Sequence, residues 1–232
     1  MICPNEFCAA LTGAALLLSG CTDVSDDAAP PPTPVAAPVD GAAICPPRPL
    51  DRVYDQTLPR NGNHDAALID DAVRLETNRE RCARGLPALE AHAALQQAAF
   101  LHAQDMARLG IFSHNTPVPG RETPGDRVTQ VGFRWQNVAE NITESHYMDY
   151  ENGAPYTTID AVRCEFAYAD GRPIPPQTYA SLARSVVARW MGSEGHRANL
   201  LSPDVVAHGF AIFPNGDTAL CGGLYGTQVM AR

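Results

Sequence analysis

The sequence predicts an α+β fold in which helices are layered against a sheet. Apolar residues recur every three to four positions in the first part of the folded region, and again before its end. Two apolar segments joined by a turn sequence follow at the C-terminus. Helices followed by a hairpin are typical of layered α+β proteins, and residues 45–232 have the size of one domain.

The helices are predicted over residues 66–84, 91–109, 125–131 and 179–191. In the first two, small and aliphatic residues form one stripe among charged residues, and Gly85 and Gly110 follow as end signals. The last helix is the most regular, because Leu182, Val186 and Trp190 recur every four residues. Each of these helices therefore has one face to bury.

Two strands are predicted, over residues 205–213 and 218–229. The intervening residues 214–217 contain the pair Asn-Gly, which is a strong hairpin signal. By contrast, residues 144–177 are polar and rich in proline, and they show no clean period. We predict an irregular insertion there, pinned to the domain by Cys164.

The first twenty residues are predicted to be a lipoprotein signal peptide. Residues 9–18 form an apolar core that is too short to span a bilayer, and residues 18–21 (Leu-Ser-Gly-Cys) have the lipobox pattern, in which Cys21 accepts a lipid. The segment before the core contains Glu6 and no Lys or Arg, which departs from the positive start of export signals. A buried N-terminal helix is the alternative interpretation.

A lipid on Cys21 would anchor the chain to a membrane, with residues 21–44 as a tether rich in Pro and Ala. Residues 22–38 contain no aromatic side chain, Leu or Ile, so they cannot offset the entropy lost on ordering. Their prolines favour an extended, semi-stiff conformation. We therefore expect a protein of the cell envelope, on the periplasmic side of the outer membrane or at the cell surface.

The formal net charge of −9 limits the partners of this chain. An acidic domain repels nucleic-acid phosphates and anionic lipid headgroups. After the N-terminal segment, no apolar run is long enough for a transmembrane helix. We expect no nucleic-acid partner, a monomer, and attachment to the membrane by the lipid alone.

Seven cysteines are present, and Cys45, Cys82, Cys164 and Cys221 remain once the signal peptide and the lipid site are set aside. An even number in an exported domain predicts two disulfide bonds, for which three pairings are possible. We favour Cys45–Cys82 and Cys164–Cys221, because each would join an irregular segment to a regular element. No Cys-x-x-Cys occurs, which argues against a redox motif or a zinc knuckle.

Three polar clusters carry the candidate chemistry, and each is predicted where a regular element breaks. The first is Phe-Ser-His at residues 112–114, just after the helix that ends at Gly110. The second is Ala-Glu-Asn-Ile at residues 139–142. The third, at residues 193–201, reads Ser-Glu-Gly-His-Arg-Ala-Asn-Leu-Leu and follows Trp190.

Together with a glycine-containing strand, this ordered set from Leu75 to Phe213 resembles the bacterial branch of the CAP superfamily. That superfamily comprises cysteine-rich secretory proteins, antigen 5 and plant pathogenesis-related proteins. The resemblance implies a three-layer α-β-α sandwich with a central antiparallel sheet. It also implies that His114, Glu140 and His196 converge in one cleft.

Two imidazoles in such a cleft could bind a divalent metal such as zinc, with His114 and His196 as ligands and water in the remaining positions. Glu140 would orient an imidazole or accept a proton. The family's second glutamate is replaced by Ser193, and Glu194, one residue later, is the candidate substitute. As isolated residues, the two histidines could instead cap helix carbonyls.

Three functions are compatible with this set of residues. The first is a binding module for an apolar ligand, a peptide or a cell-wall polymer, since the resemblance extends to proteins that bind lipids. The second is a metal-assisted hydrolase in which His114, His196 and Glu140 activate water. The third is a structural lipoprotein. No His-Glu-x-x-His or Gly-x-Ser-x-Gly motif occurs, so we favour the binding module over the enzyme.

Overall fold

The computed structural model describes residue 45, residues 47–151 and residues 153–232, and it has the predicted α+β architecture. Its helices are α1 (Ala66–Cys82), α2 (Ala93–Leu109), α3 (Pro124–Gln130), α4 (Tyr179–Gly192) and α5 (Glu194–Leu200). Its strands are β1 (Glu90–Ala91), β2 (Val138–His146), β3 (Tyr156–Asp160), β4 (Glu165–Tyr168), β5 (Ala207–Pro214) and β6 (Gly223–Ala231). The predicted signal peptide, the lipid site Cys21 and the tether lie outside the described residues.

The long helices begin where the sequence supplies a capping side chain. Asp65 accepts hydrogen bonds from two amides in the first turn of α1, and His92 accepts one from the first turn of α2. At α4, Thr178 and Ser181 form a capping box. α2 ends at Gly110, whose φ of 64° lies in the left-handed region that glycine adopts without strain. All four predicted helices are confirmed, with bounds that differ by no more than two residues.

A four-stranded sheet in the order β1-β5-β6-β2 forms the middle of the domain. β5, β6 and β2 are antiparallel, and β5 and β6 form the predicted hairpin. Its connection is longer than the predicted turn at 214–217, because it includes the 3₁₀ turn Ala219–Cys221, and β6 begins at Gly223 rather than at residue 218. β1 pairs parallel to β5, so the sheet is mixed and the expected antiparallel arrangement holds for three of its four strands. β1 has only two residues, so no alternating pattern in the sequence could have predicted it.

Helices cover both faces of this sheet. On one face, α1 and α4 bury aliphatic and aromatic residues against Phe210 and Ile212 of β5. On the other face, α2 and α3 pack against Ala207 and Ala211 of the same strand. The second face is lined by small residues, and a Cβ atom added at Gly209 would lie 2.0 Å from the backbone nitrogen of Gln96. α2 therefore lies directly on the backbone of β5, as a three-layer sandwich requires.

The expected irregular insertion at residues 144–177 contains regular structure. Its first residues complete β2, and β3 and β4 form an antiparallel two-stranded sheet. This hairpin has a small core of its own, formed by Met148, Phe166, Tyr168, Ile174 and Leu220. Short strands with exposed faces lack the alternating hydrophobicity that predicts a strand, which explains why the pattern was not visible.

Two disulfide bonds, Cys45–Cys82 and Cys164–Cys221, join the loops to the layers. Their Cα–Cα distances are 5.6 and 5.8 Å, and both pairings agree with the sequence prediction. The second bond ties the β3–β4 hairpin to the 3₁₀ turn Ala219–Cys221 that precedes β6. None of the helices in the described part of the chain has the length and apolar character needed to cross a membrane.

Candidate functional site

The three polar clusters are carried by three different kinds of structure. His114 lies in the loop between α2 and α3, Glu140 lies within β2, and His196 lies within α5. Glu140 was expected where a regular element breaks, and that expectation is wrong, because β2 continues on both sides of it. Two adjacent polar residues such as Glu140 and Asn141 do not have the sequence pattern of a buried strand. They can be buried in β2 because residues from other parts of the chain bind their side chains.

Glu140 is the centre of the site. One carboxylate oxygen, Oε1, lies 2.9 Å from Nδ1 of His114, and the other, Oε2, accepts a 2.7 Å hydrogen bond from Arg127. The side chains of Glu140 and Arg127 are both fully buried. Arg127 also donates to the carbonyl oxygens of His114 and Arg121, at 2.9 and 3.0 Å. A buried carboxylate is tolerated when it is paired and hydrogen-bonded in this way, so Arg127 fixes both Glu140 and the loop that carries His114.

His102 adds a second imidazole behind Glu140. Its side chain is fully buried on α2, and Nε2 lies 3.4 Å from Oε1 of Glu140. Burial lowers the pKa of His102 to about 4, so the ring is neutral at physiological pH. His102 belongs to no motif, and a mid-helix histidine without a motif is usually a core or surface residue. The sequence does contain one sign that His102 is buried: it lies four residues from both Ala98 and Met106, on the stripe of α2 that is fully buried.

An amide network docks α5 on β2 and so positions His196. The side chain of Asn141 donates to the backbone oxygen of His196 at 3.3 Å and to Gln228 at 3.1 Å. Asn199 donates to the backbone oxygen of Glu140 and to the side-chain oxygen of Asn141, both at 3.0 Å. Asn199 therefore ties α5 to β2.

The imidazoles of His114 and His196 are within electrostatic reach of each other. The side chain of His114 is 46% exposed and His196 is half-buried, so both rings reach solvent. Burial lowers the pKa of His196, and repulsion from His114 lowers it further. The ring of His114 thus contacts the buried carboxylate of Glu140, and His196 lies near enough to His114 for their charges to interact.

Glu194 and Phe112 lie at the edges of this group. Glu194 is exposed in the first turn of α5, and within the described structure it forms no ion pair or side-chain hydrogen bond. Phe112, two residues before His114, is 44% exposed and stacks on Tyr225 with ring centroids 5.5 Å apart. The polar rim of the site is therefore continuous with an exposed aromatic ring.

The site residues satisfy only part of what a metal ion requires. Nδ1 of His114 is held by Glu140, which leaves Nε2 as the free nitrogen and reproduces the carboxylate–histidine arrangement common behind metal ligands. Among the described residues, no three His, Cys, Asp or Glu side chains are grouped as a metal site. His114 therefore offers one oriented imidazole nitrogen, and together with His196 the site would supply two protein ligands, one fewer than catalytic zinc sites use.

The sequence profile of the Cysteine-rich secretory protein family, CAP, matches residues 75–229. An uncharacterized protein of Bacillus subtilis (strain 168), YkwD, is 28% identical over 140 residues, which are 60% of this chain and 40% of that protein. The chain therefore spans less than half the length of this curated relative.

Two solved structures show the same fold. An extracellular protein containing a SCP domain from Bacillus anthracis str. Ames has a TM-score of 0.50 and 22% identity, with 75% of this chain and 43% of that chain covered. An outer surface protein from Borrelia burgdorferi has a TM-score of 0.50 and 15% identity, with 74% of this chain and 98% of that chain covered. At these identities the likeness concerns the fold alone.

Proposed function

Because the chain belongs to the cysteine-rich secretory protein (CAP) family, we propose that it is a binding module of the cell envelope that holds its ligand at His114 and His196. The observation that carries this proposal is the buried Glu140–Arg127 pair, which holds the ring of His114 in place. A buried ion pair is costly to build. A buried ion pair that orients a half-exposed imidazole is expected where that imidazole contacts a ligand.

The ligand is one that offers a polar group beside an apolar one. The free nitrogens of His114 and His196 can donate to, or accept from, an amide, hydroxyl or carboxylate group. Phe112 lies beside them with its ring exposed and supported from below by Tyr225. Peptides, acyl chains with a polar head and cell-wall glycopeptides share this combination, and each occurs in a bacterial envelope.

Glu140 is better placed to orient a histidine than to act as a catalytic base. Its oxygens already face Arg127, His114 and His102, at 2.7, 2.9 and 3.4 Å. A general base needs a free lone pair within reach of the substrate proton. A metal-assisted hydrolase is therefore the second candidate, and it is favoured only by the carboxylate–histidine pair. A zinc ion held by His114 and His196 would supply a polarised water.

Binding is tested by what the full-length chain retains during purification from its own cell envelope. Mass spectrometry of wild type, His114→Gln, His196→Gln and the control His64→Gln should show lipids or peptides retained by the wild type and the control. Both cleft variants should lose these species. Identical retention by all four proteins would overturn the binding proposal.

The same purified proteins test the hydrolase. Zinc in stoichiometric amount in the untagged wild type, lost in a His114→Ala/His196→Ala double variant, would favour the second candidate. If turnover of a peptide or ester survives both substitutions, the two histidines are not required for catalysis.

The lipid anchor on Cys21 is part of the same proposal. The extracellular and outer-surface proteins that share the fold support an envelope location, and the lipobox supplies the means of attachment. Labelled palmitate should be incorporated into the wild type and not into Cys21→Ala. Equal labelling of both proteins would contradict the anchor and would leave the cleft proposal intact.

A further inference from the structure

We propose that the disulfide Cys164–Cys221 is an exchange site that reacts with anionic thiols, whereas Cys45–Cys82 is a structural bond. This inference is independent of the function proposed for the cleft. It depends on two properties of the bond: the backbone conformation of the cysteines and the charge beside the sulfur atoms.

The first difference between the two disulfides is the backbone conformation of their cysteines. Cys164 has a φ of 62° and Cys221 a φ of 63°, and Leu220 between the hairpin and β6 has a φ of 47°. These are left-handed conformations that residues with a Cβ adopt at an energetic cost. Within the described structure, neither Cys45 nor Cys82 has a positive φ. Opening Cys164–Cys221 would allow the two cysteines to leave these conformations, which favours exchange at that bond.

Charge is the second difference. The guanidinium of Arg60 donates to Sγ of Cys164, and Arg60 takes part in no ion pair among the described residues. Two arginines also line the cavity beside Cys45–Cys82, but both are paired with carboxylates. Arg48 lies 2.5 Å from Asp71, and Arg79 lies 2.8 Å from Glu76. Of the two bonds, the Cys164 sulfur is therefore the one that faces an arginine without a carboxylate partner among the described residues.

An uncompensated cation beside a sulfur attracts a thiolate, which is the attacking species in disulfide exchange. It also stabilises the negative charge that is spread over the sulfur atoms during attack.

Access does not favour Cys164–Cys221 over the other bond, because Cys45 is exposed and Cys164 is half-buried, although Cys164 is open to a cavity. Cys164 lines a surface cavity of about 610 Å³, whose walls include Ile159, Phe166 and Pro175. Its charged residues besides Arg60 are Arg163, which lies 3.8 Å from Asp160, and Glu165. This volume lies in the range of cavities that hold small molecules. The cavity beside Cys45–Cys82 is of similar size, about 560 Å³. Room alone therefore does not separate the two bonds, and the backbone and charge differences must do so.

The reaction needs no oxidant. A thiolate attacks Sγ of Cys164 from the cavity, a new sulfur–sulfur bond forms there, and the Cys164–Cys221 bond breaks. Its electron pair leaves with Cys221 as a thiolate, which takes a proton from water. A second thiolate can then attack the mixed disulfide, which releases the small disulfide and leaves Cys164 reduced.

Three small thiols of negative, zero and positive charge test this proposal on the folded, full-length protein: 2-mercaptoethanesulfonate, 2-mercaptoethanol and cysteamine. Alkylation followed by peptide mass spectrometry gives the opening rate of each disulfide, expressed per thiolate. We expect Cys164–Cys221 to open at least about tenfold faster than Cys45–Cys82, with the anionic thiol fastest and the cationic thiol slowest. Equal rates for the two bonds, or faster opening of Cys45–Cys82, would overturn the proposal.

The variant Arg60→Gln tests the electrostatic part, with Arg108→Gln on the exposed surface of α2 as its matched control. Arg60→Gln should reduce the rate advantage of the anionic over the cationic thiol by about three- to tenfold, and Arg108→Gln should leave it unchanged. If the three thiols keep the same order and ratio of opening rates in Arg60→Gln, Arg60 does not select anionic thiols, which would contradict the proposed exchange site.

Discussion

Arg127 and Glu140 form an ion pair with an N–O distance of 2.7 Å between α3 and β2, and neither side chain is exposed. Each charge therefore depends on the other for its strongest partner in a region that water does not reach. We expect Arg127→Met to lower the free energy of unfolding by about 3–5 kcal/mol, because it leaves a buried carboxylate unpaired.

Urea unfolding of three proteins checks this first prediction: wild type, Arg127→Met, and the double variant Arg127→Met/Glu140→Leu. The double variant should recover part of the loss, since no buried charge remains at this pair. A loss below about 1 kcal/mol in the single variant would show that the pair is exposed to solvent rather than buried.

The contact between α2 and β5 gives a second prediction. A Cβ atom at Gly209 would lie 2.0 Å from the backbone nitrogen of Gln96 and 2.2 Å from the carbonyl carbon of Leu95. Backbone atoms cannot move aside as a side chain does, so Gly209→Ala should destabilise the fold by about 3 kcal/mol or more.

Gly192, at the end of α4, is the matched control, because nothing lies within 4 Å of a Cβ atom added there. Gly192→Ala should be neutral or stabilising by up to about 1 kcal/mol, since alanine is the better helix former. Thermal unfolding measures both variants. Equal melting temperatures for Gly209→Ala and the wild type would contradict the close approach of α2.

Acid stability gives a third prediction, from His208 and Asp70 in the interface between β5 and α1. Nδ1 of His208 lies 3.4 Å from Oδ1 of Asp70. Burial lowers the pKa of His208 from 6.5 to about 3 and raises that of Asp70 from 3.8 to about 7. Between pH 6.5 and 3 the unfolded chain binds a proton at His208 that the folded chain does not, so His208 makes the protein less stable as pH falls.

Asp70 acts in the opposite sense. Between pH 7 and 3.8 the folded chain binds a proton there that the unfolded chain lacks, so Asp70 makes the protein more stable as pH falls. Relative to the wild type, His208→Gln should therefore gain stability on acidification and Asp70→Asn should lose it, each by up to about 1.4 kcal/mol per pH unit. Urea unfolding across this pH range measures both slopes, and parallel curves for all three proteins would contradict the burial of the pair.

The sequence predicts the parts of this fold that are governed by local pattern. Trp190 and its neighbours at four-residue spacing identify α4, and the Asn-Gly pair identifies the β5–β6 hairpin. β2 could not be predicted in the same way, because Glu140 and Asn141 are polar residues in a buried strand. Their stability depends on partners that lie far away in the chain.

Much the same limit applies to the candidate site. Motif order identifies His114, Glu140 and His196, and the structure places His114 against Glu140. His102 and Arg127 could not be predicted, since their importance comes from contacts with Glu140 that only the folded chain creates. The placement of Glu194 at the surface likewise depends on the direction in which α5 begins.

The central proposal is that His114 and His196, which are far apart in the chain, share one cleft. The pKa of His196, followed by proton NMR in wild type, His114→Gln and His64→Gln, tests it most directly. Removing His114 removes the repulsion that lowers the pKa of His196, so the pKa should rise in His114→Gln and stay at the wild-type value in His64→Gln. A pKa of His196 that is the same in all three proteins would contradict the shared cleft.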